Sequence, residues 1–272
     1  MTLDLDLIGT MVEELDRVIA NSVDKSIMNL EEFGILFSGG LDSSLLAKFS
    51  EDKGKKVILY TIGLKGSPDL EYARMTREAF KSPIKVKVIT PKEVEDYARE
   101  VISVIKNYNP MDVSIGIPFY IACKMARENG VSHILCGQGA DELFGGYHRY
   151  LKMSKEDLQA ALNEDIKKAR VSTFKRDHAI AKANSLKLLT PFLDPDLVKA
   201  SLKIPVDFKI RDGIRKFILR EVAKKRGLPD FIVNREKKAI QYSTGVNKVL
   251  RKLAKRENKS LETYCKDVYA LI

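Results

Sequence analysis

The sequence predicts an α/β protein built on a doubly wound parallel sheet, with a largely helical C-terminal half. Three observations carry that expectation. Short apolar runs of strand length alternate with amphipathic helical patterns through the first 150 residues. Most of these runs are continuously apolar, as in parallel strands covered on both faces. Two of them open directly into glycine-rich turns, Ser38-Gly39-Gly40 and Gly137-Gln138-Gly139. Strands alternating with helices at this spacing form crossover units and hence a parallel sheet. Ligands of such sheets sit beyond the strand carboxyl ends, near the point where the strand order reverses. Both turns are therefore expected at one edge, facing one pocket.

The elements follow in order. Leu7, Ile8, Met11, Val12, Leu15, Val18, Ile19 and Val23 recur at helical spacing and predict an amphipathic helix over 7–27. A strand at Ile35–Phe37 leads through the first glycine turn into a helix over 43–53, ended near Gly54. Val57–Ile62 reads as a second buried strand, and Ser67-Pro68-Asp69 opens a helix through Lys81, with proline suited to its first turn. Ile84–Ile89 is the third strand, Pro91 starts a helix to Lys106, and a further helix covers 115–128. Val131–Cys136 is the fourth strand. Beyond Tyr150 the strand signals fade, and helical patterns occupy 155–170, 173–184, 195–203, 213–226, 244–256 and 260–271. A single domain over 1–272 is expected, with an α/β core to 150 and a mostly helical extension over 151–272.

Composition narrows the class. A chain of 272 residues with 44% hydrophobic and 31% charged content is globular rather than disordered. No apolar run approaches membrane-spanning length, so no membrane partner is expected. The acidic start, Met1-Thr2-Leu3-Asp4-Leu5-Asp6, lacks the basic-then-apolar plan of a signal peptide. Cys123, Cys136 and Cys265 are odd in number and widely spaced, which points to a reducing, cytoplasmic setting. The net charge of +10 is uneven: residues 1–200 carry −1 and residues 201–272 carry +11. That basic quarter reads as a solvated face, as a wall for a polyanion such as ATP, or as an RNA-facing surface.

The chemistry concentrates in the two glycine turns. A strand feeding Ser38-Gly39-Gly40-Leu41-Asp42-Ser43-Ser44 into a helix leaves unpaired backbone N–H groups aimed at one spot, where a phosphate or pyrophosphate can sit. The glycines allow close approach, and the hydroxyls of Ser38, Ser43 and Ser44 can add donors. The plainer reading is a strand-to-helix turn capped by Asp42 or Ser43. Asp42 and Asp141 would repel phosphate oxygens unless a divalent cation lay between, and Mg²⁺ takes a few carboxylates plus substrate phosphates in this way. His133, His148 and His178 have no partners at metal-ligand spacing.

At these residues the chain resembles a family. Ser38–Ser44 is similar to the pyrophosphate loop of the N-type ATP pyrophosphatases, and Gly137-Gln138-Gly139-Ala140-Asp141-Glu142-Leu143-Phe144-Gly145-Gly146-Tyr147 resembles the second signature of the asparagine synthetases. Gly66-Ser67-Pro68-Asp69, Arg176-Asp177, Pro191-Phe192-Leu193-Asp194, Lys216 with Leu219-Arg220, and Arg235-Glu236-Lys237 follow in the family's order. The resemblance covers residues 30–245 and implies an adenine nucleotide alpha hydrolase-like fold. It implies an amino-acid biosynthetic ligase in which a carboxylate attacks the α-phosphate of ATP and ammonia or another amine displaces AMP from the acyl-adenylate. It places Leu36, Ile62 and Gly137 against the adenosine and Ser38–Ser44 on the pyrophosphate. Asp42 and Asp141 would hold Mg²⁺, Lys237 would neutralise the transferring phosphate, and Gln138 would meet the nucleophile.

Departures from the family shape the remaining expectations. Family members carry a glutaminase domain beginning with a cysteine after the initiator methionine, where this sequence has Thr2. The nitrogen is therefore expected from ammonia, another amine or a separate glutaminase subunit. Relatives often carry glutamate where Gln138 stands, and an amide can orient a nucleophile but cannot act as a base. The family pattern Glu-x-Arg-x-Pro-Phe-Leu-Asp appears here with Lys187 and Leu189 in place of the first two charged residues, which unsettles aspartate as acceptor. Asp194-Pro195 also reads as a plain helix cap. Rival expectations are adenylation of tRNA or another metabolite, with the basic segment on RNA, and a non-catalytic nucleotide-binding subunit. A homodimer is one arrangement left open, since the sequence does not fix the oligomeric state.

Overall fold

The computed structural model describes residues 2–169 and 174–272. The first half alternates helix and strand: α1 (Thr2–Ile27), β1 (Glu32–Leu36), α2 (Leu41–Asp52), β2 (Lys56–Leu64), α3 (Pro68–Met75), β3 (Ile84–Ile89), α4 (Pro91–Ile105), α5 (Pro110–Glu128), β4 (His133–Leu135) and α6 (Ala140–Phe144). The second half runs through α7 (Lys155–Lys168), α8 (Phe174–Ala183), β5 (Lys187–Leu189), α9 (Pro195–Lys203), α10 (Val206–Lys209), β6 (Ile210–Arg211) and β7 (Ile214–Arg215). It ends with α11 (Phe217–Lys225), α12 (Asp230–Val233), α13 (Ile240–Ser243), α14 (Val246–Arg256) and α15 (Leu261–Ala270).

The sheet is parallel with strand order β3-β2-β1-β4-β5. Order reverses between β1 and β4, which pair directly through Gly34 with Ile134 and Ile35 with Leu135. Both faces are covered, as the doubly wound expectation requires. One layer packs Leu15, Ile19 and Val23 of α1, Leu45 and Phe49 of α2, Leu197 of α9 and Leu219 and Val222 of α11. The other packs Val94 and Val101 of α4, Ile117 and Ile121 of α5, Ile180 of α8, Leu250 of α14 and Cys265 of α15. The buried strand residues Ile35, Leu59 and Leu135 face the first layer, while Tyr60, Ile62 and Ile134 face the second. Each fully buried side chain of this kind contributes about 1.5–3 kcal/mol.

Several elements differ from the sequence pattern. Lys187–Leu189 forms a fifth strand beside β4, where the pattern places only a connection between the helices at 173–184 and 195–203. Three residues are too few for a periodicity signal. The helix expected from 115 begins at Pro110, capped by Asn109, whose side chain accepts from the Met111 and Asp112 amides. The helix expected over 213–226 begins at Phe217, and the hairpin of β6 and β7 takes its first turn. The expected helix ends at 170 and 173 lie outside the described residues. No helix among the described residues is long and apolar enough to cross a membrane.

Candidate functional site

The two glycine turns meet at the reversal point. Gly39 holds a left-handed φ of 67°, and a Cβ there would press on the Tyr72 Cβ at 3.1 Å, so only glycine fits comfortably. Gly40 is the residue before α2, and no side chain caps that helix. Neither Asp42 nor Ser43 is the cap. The Ser43 hydroxyl instead accepts from the Ser38 amide at 3.3 Å and donates to the Gly40 carbonyl at 3.2 Å. The turn is thus fixed internally, while the N-terminus of α2 keeps first-turn amides available to an anion. Ser44 is fully buried and its hydroxyl is unpartnered among the described residues. The second turn comes within van der Waals reach: a Cβ on Gly137 would lie 2.9 Å from the Asp42 Cβ. The turns after β1 and β4 therefore wall one site, as the parallel topology requires.

Two carboxylates and two ammonium groups occupy its centre. Lys216 Nζ lies 2.7 Å from both carboxylate oxygens of Asp42 and 2.7 Å from Asp141 Oδ1. Lys237 Nζ lies 2.8 Å from Asp141 Oδ2 and 3.6 Å from Asp42 Oδ2. Burial alone would push the Asp141 carboxyl up, but the two lysines outweigh it and hold it well below the usual carboxylate range. Burial opposes the charge on Lys237 too, yet Asp141 and Asp42 raise its pKa. Asp141 Oδ1 is buried and, despite the nearby ammonium, accepts no hydrogen bond of good angle, so lone pairs remain for another cation. Among the described residues no group of three or more His, Cys, Asp or Glu side chains could hold a metal by itself. An ion at Asp42 and Asp141 needs oxygens from a ligand to complete its shell.

Asp42, Asp141 and Lys237 carry roles expected from the sequence, whereas Lys216 appears there only within the family's run of residues, without a role. The β6–β7 hairpin, turned by Asp212 and Gly213 at φ 49° and 75°, delivers Lys216 at a left-handed φ of 57° just ahead of α11. Its side chain is 3% exposed. Gly146 makes room for it, since a Cβ there would fall 1.9 Å from Asp141 Oδ1 and 2.4 Å from Lys216 Cε. The Asp-Gly pair between Ile210 and Ile214 is the hairpin signal that marks this segment. Arg220 of α11 donates to the Arg215 carbonyl at 2.8 Å and to the Arg235 carbonyl at 3.3 Å, tying the two lysine-bearing segments together.

Two polar networks brace the turns. Arg235 donates to the Ser38 carbonyl, pairs with Asp69 Oδ1 at 2.7 Å and lies over the Tyr72 ring, 3.9 Å from its centroid. Ser243 donates to the other Asp69 oxygen at 2.8 Å. Burial raises the Asp69 carboxyl, partly countered by Arg235. On the far side Gln138 donates to Asp177, a buried carboxylate also held by Arg176 Nε at 2.7 Å. Arg176 reaches Asp112 at 3.0 Å. Burial raises Asp177 in turn, against the pull of Arg176. Glu142, beside Asp141, is raised by burial and accepts from Tyr147 at 2.6 Å.

The remaining sequence candidates divide clearly. Half-buried Leu36 and buried Ile62 lie toward the carboxyl ends of β1 and β2, on the sheet edge that carries Gly137. Asp194 caps α9, accepting from the Asp196 amide at 3.0 Å and the Leu197 amide at 3.3 Å, and its carboxylate pairs with Lys25 of α1 at 3.7 Å. Lys187 is exposed at the amino end of β5 opposite His133, on the edge away from the site. Leu189 lies at the carboxyl end of β5, where its carbonyl accepts from the Cys136 amide at 3.1 Å. Of the two departures over 187–189, only Leu189 is therefore on the site's edge.

Fold and site together define an α/β protein with a phosphate-type turn and a paired-carboxylate centre at its topological switch point. The family model for asparagine synthase matches residues 14–178 and 153–271, and the chain belongs to that family. It is 36% identical over 280 residues to a Methanocaldococcus jannaschii protein named "Putative asparagine synthetase (glutamine-hydrolyzing) 1", covering 90% of this chain and 51% of that one. It is 31% identical over 243 residues to a glutamine-hydrolysing asparagine synthetase of Lotus japonicus, covering 83% and 41%. The chain thus spans about half the length of the curated relatives it matches. Among solved structures, the NMN synthetase of Francisella tularensis superposes with a TM-score of 0.46 at 12% identity, over 96% of this chain and 92% of that one.

Proposed function

We propose that the chain is an ATP-dependent, AMP- and pyrophosphate-forming ligase that adenylates a carboxylate and passes the acyl group to ammonia or another amine. The observation that carries this reading is the square of Asp42, Lys216, Asp141 and Lys237 beside the uncapped N-terminus of α2. In the first step a substrate carboxylate oxygen bonds to the α-phosphorus of ATP while the bond from that phosphorus to the pyrophosphate oxygen breaks. In the second, the amine nitrogen bonds to the acyl carbon, releases a proton, and AMP leaves with the bonding pair.

The α2 amides with the Ser38 hydroxyl receive the pyrophosphate, while the Ser43 hydroxyl, donating to the Gly40 carbonyl, holds the turn in shape. Leu36, Ile62 and Gly137 border the adenosine. Lys216 and Lys237 set positive charge where phosphate charge develops, a preorganised electrostatic role. Asp42 and Asp141 fit Mg²⁺, which would offset phosphate charge when bound. Gln138, fixed by Asp177, orients the amine through its amide and takes no proton from it. Aspartate is the first acceptor to try. Leu189, at the site's edge in place of the family's arginine, favours an acceptor with one charged group fewer there.

ATP–pyrophosphate exchange measured with a panel of carboxylic acids tests the reading. Exchange driven by one acid class identifies the acceptor; ATP binding without exchange on any acid overturns the ligase assignment. Asp42→Asn should abolish Mg²⁺-dependent exchange while the circular dichroism spectrum stays that of the parent. Full exchange in that variant would remove the metal from the proposal.

A further inference from the structure

The C-terminal positive charge is not spread evenly over the surface. On α14, Lys248, Arg251, Lys252 and Lys255 stand at helical offsets of three, four and seven and are all exposed. With exposed Tyr242 and the Asn247 side chain they line a groove of about 360 Å³. Among the described residues no carboxylate pairs with any of these four cations. Their neighbours on the same stretch are neutralised: Arg256 by Glu95, and Lys259 by Glu257 and Asp267. Like charges three and four apart on a helix repel, so the arrangement weakens the helix until an anion meets it.

We propose that this groove docks an unpaired stretch of RNA. Arg251 is already oriented, its Nε donating to Asn247 Oδ1 at 2.9 Å, so its planar guanidinium is presented with little freedom left to lose. Tyr242, 56% exposed, offers a ring face on which a base can stack. A lipid surface is a poor match, because the apolar face of α14, including Val249, Leu250 and Leu253, is buried in the core and cannot turn outward. Duplex DNA presents no free base faces, whereas loops and ends of RNA do. The groove also adjoins the candidate site. Ser243, next to Tyr242, holds Asp69, whose partner Arg235 grips the Ser38 turn. The Thr244 carbonyl accepts from the Leu64 amide at the end of β2, at 2.9 Å. The assignment does not depend on the ligase reading, since binding is read directly.

The test is fluorescence anisotropy of the full chain with a labelled 20-nucleotide single-stranded RNA, alongside single-stranded DNA of the same sequence, duplex DNA and phosphatidylserine vesicles. Saturable RNA binding is expected at 50 mM salt. Its affinity should fall with a slope in log salt no steeper than about −3, for four cations at about 0.7 each. The double substitution Lys252→Glu, Lys255→Glu should weaken binding at least tenfold, and Tyr242→Ala by about 5- to 150-fold, the range for one lost base stack. All three side chains are exposed, so thermal melts of the variants should match the parent or, for the double substitution, lie slightly above it, and any ATP–pyrophosphate exchange should be retained. Absence of RNA binding at 50 mM salt, equal affinity in the substituted chains, or tighter binding to DNA or vesicles would each overturn the proposal.

Discussion

Lys216 shows how much a single residue carries here. Its left-handed backbone costs about 1–2 kcal/mol, and its ammonium sits almost wholly inside the protein between two acids. Lys216→Met keeps the strain and leaves Asp42 and Asp141 facing one another with Lys237 alone. Loss of one partner from a buried ionic cluster predicts a destabilisation of about 3 kcal/mol in urea unfolding, and removal of the phosphate-facing charge predicts at least a ~100-fold loss of pyrophosphate exchange. Lys216→Gly relieves the backbone and should recover part of the stability but none of the exchange. Lys209 gives the opposite case. It is fully buried, its ammonium has no partner among the described residues, and burial pulls its pKa from the ordinary 10.5 to about 8. Between those values the unfolded chain binds more protons than the folded one, so stability rises with pH across the window. The penalty is complete below pH 8 and gone above pH 10.5. Lys209→Met should therefore gain about 3 kcal/mol at pH 7, seen as a higher urea midpoint at unchanged slope, with the gain vanishing as pH approaches 10.5. A gain independent of pH would show that packing, and not the buried charge of Lys209, is its source.

At the level of elements, signals long enough to repeat were legible and short ones were not. The α1 stripe, the apolar β1 and β2 and the Pro91 start of α4 follow from periodicity and capping over five residues or more. β5 and the β6–β7 hairpin are two or three residues per strand, and pairing with neighbours rather than local pattern makes them strands. The early start of α5 had a local signal in Asn109-Pro110, a cap followed by proline at the first helical position, but Pro118 inside the helix masks its continuity. Asp194 was legible in both of its readings, and its contacts decide for the cap, with Lys25 as a partner at 3.7 Å. Asp194→Ala should cost about 1 kcal/mol and lower the melting temperature by a few degrees, with pyrophosphate exchange unchanged. Loss of exchange at parental stability would instead give Asp194 a place in the chemistry.

Across the whole molecule, topology gathers what the sequence scatters. Asp42, Asp141, Lys216 and Lys237 span nearly 200 residues, yet the direct pairing of β1 with β4 brings both acids to one edge, and the second half of the chain lays both lysines over them. The acids were legible because each follows a glycine turn after a strand. The lysines' convergence depends on long-range contacts of the segments before α11 and after α12, such as Arg220 to the Arg235 carbonyl and Arg235 to the Ser38 carbonyl, which leave no mark in local pattern. The result is a centre that is electrically balanced by itself, two carboxylates against two ammonium groups. The fold should then need no metal to stand, while the site should need one to hold triphosphate. Thermal unfolding separates the two. Chelator alone should leave the melting temperature unchanged. ATP with Mg²⁺ at a hundred times its dissociation constant should stabilise by about 2.7 kcal/mol, raising the midpoint by roughly 5 °C or more for a chain of this size. Excess chelator should then remove most of that increment, because Asp42 and Asp141 without a cation repel the phosphates that the α2 amides attract. A chelator-sensitive midpoint in the absence of ATP would show that the lysine–aspartate square does not neutralise itself, and an ATP increment indifferent to chelator would assign the phosphate charge to Lys216 and Lys237 alone.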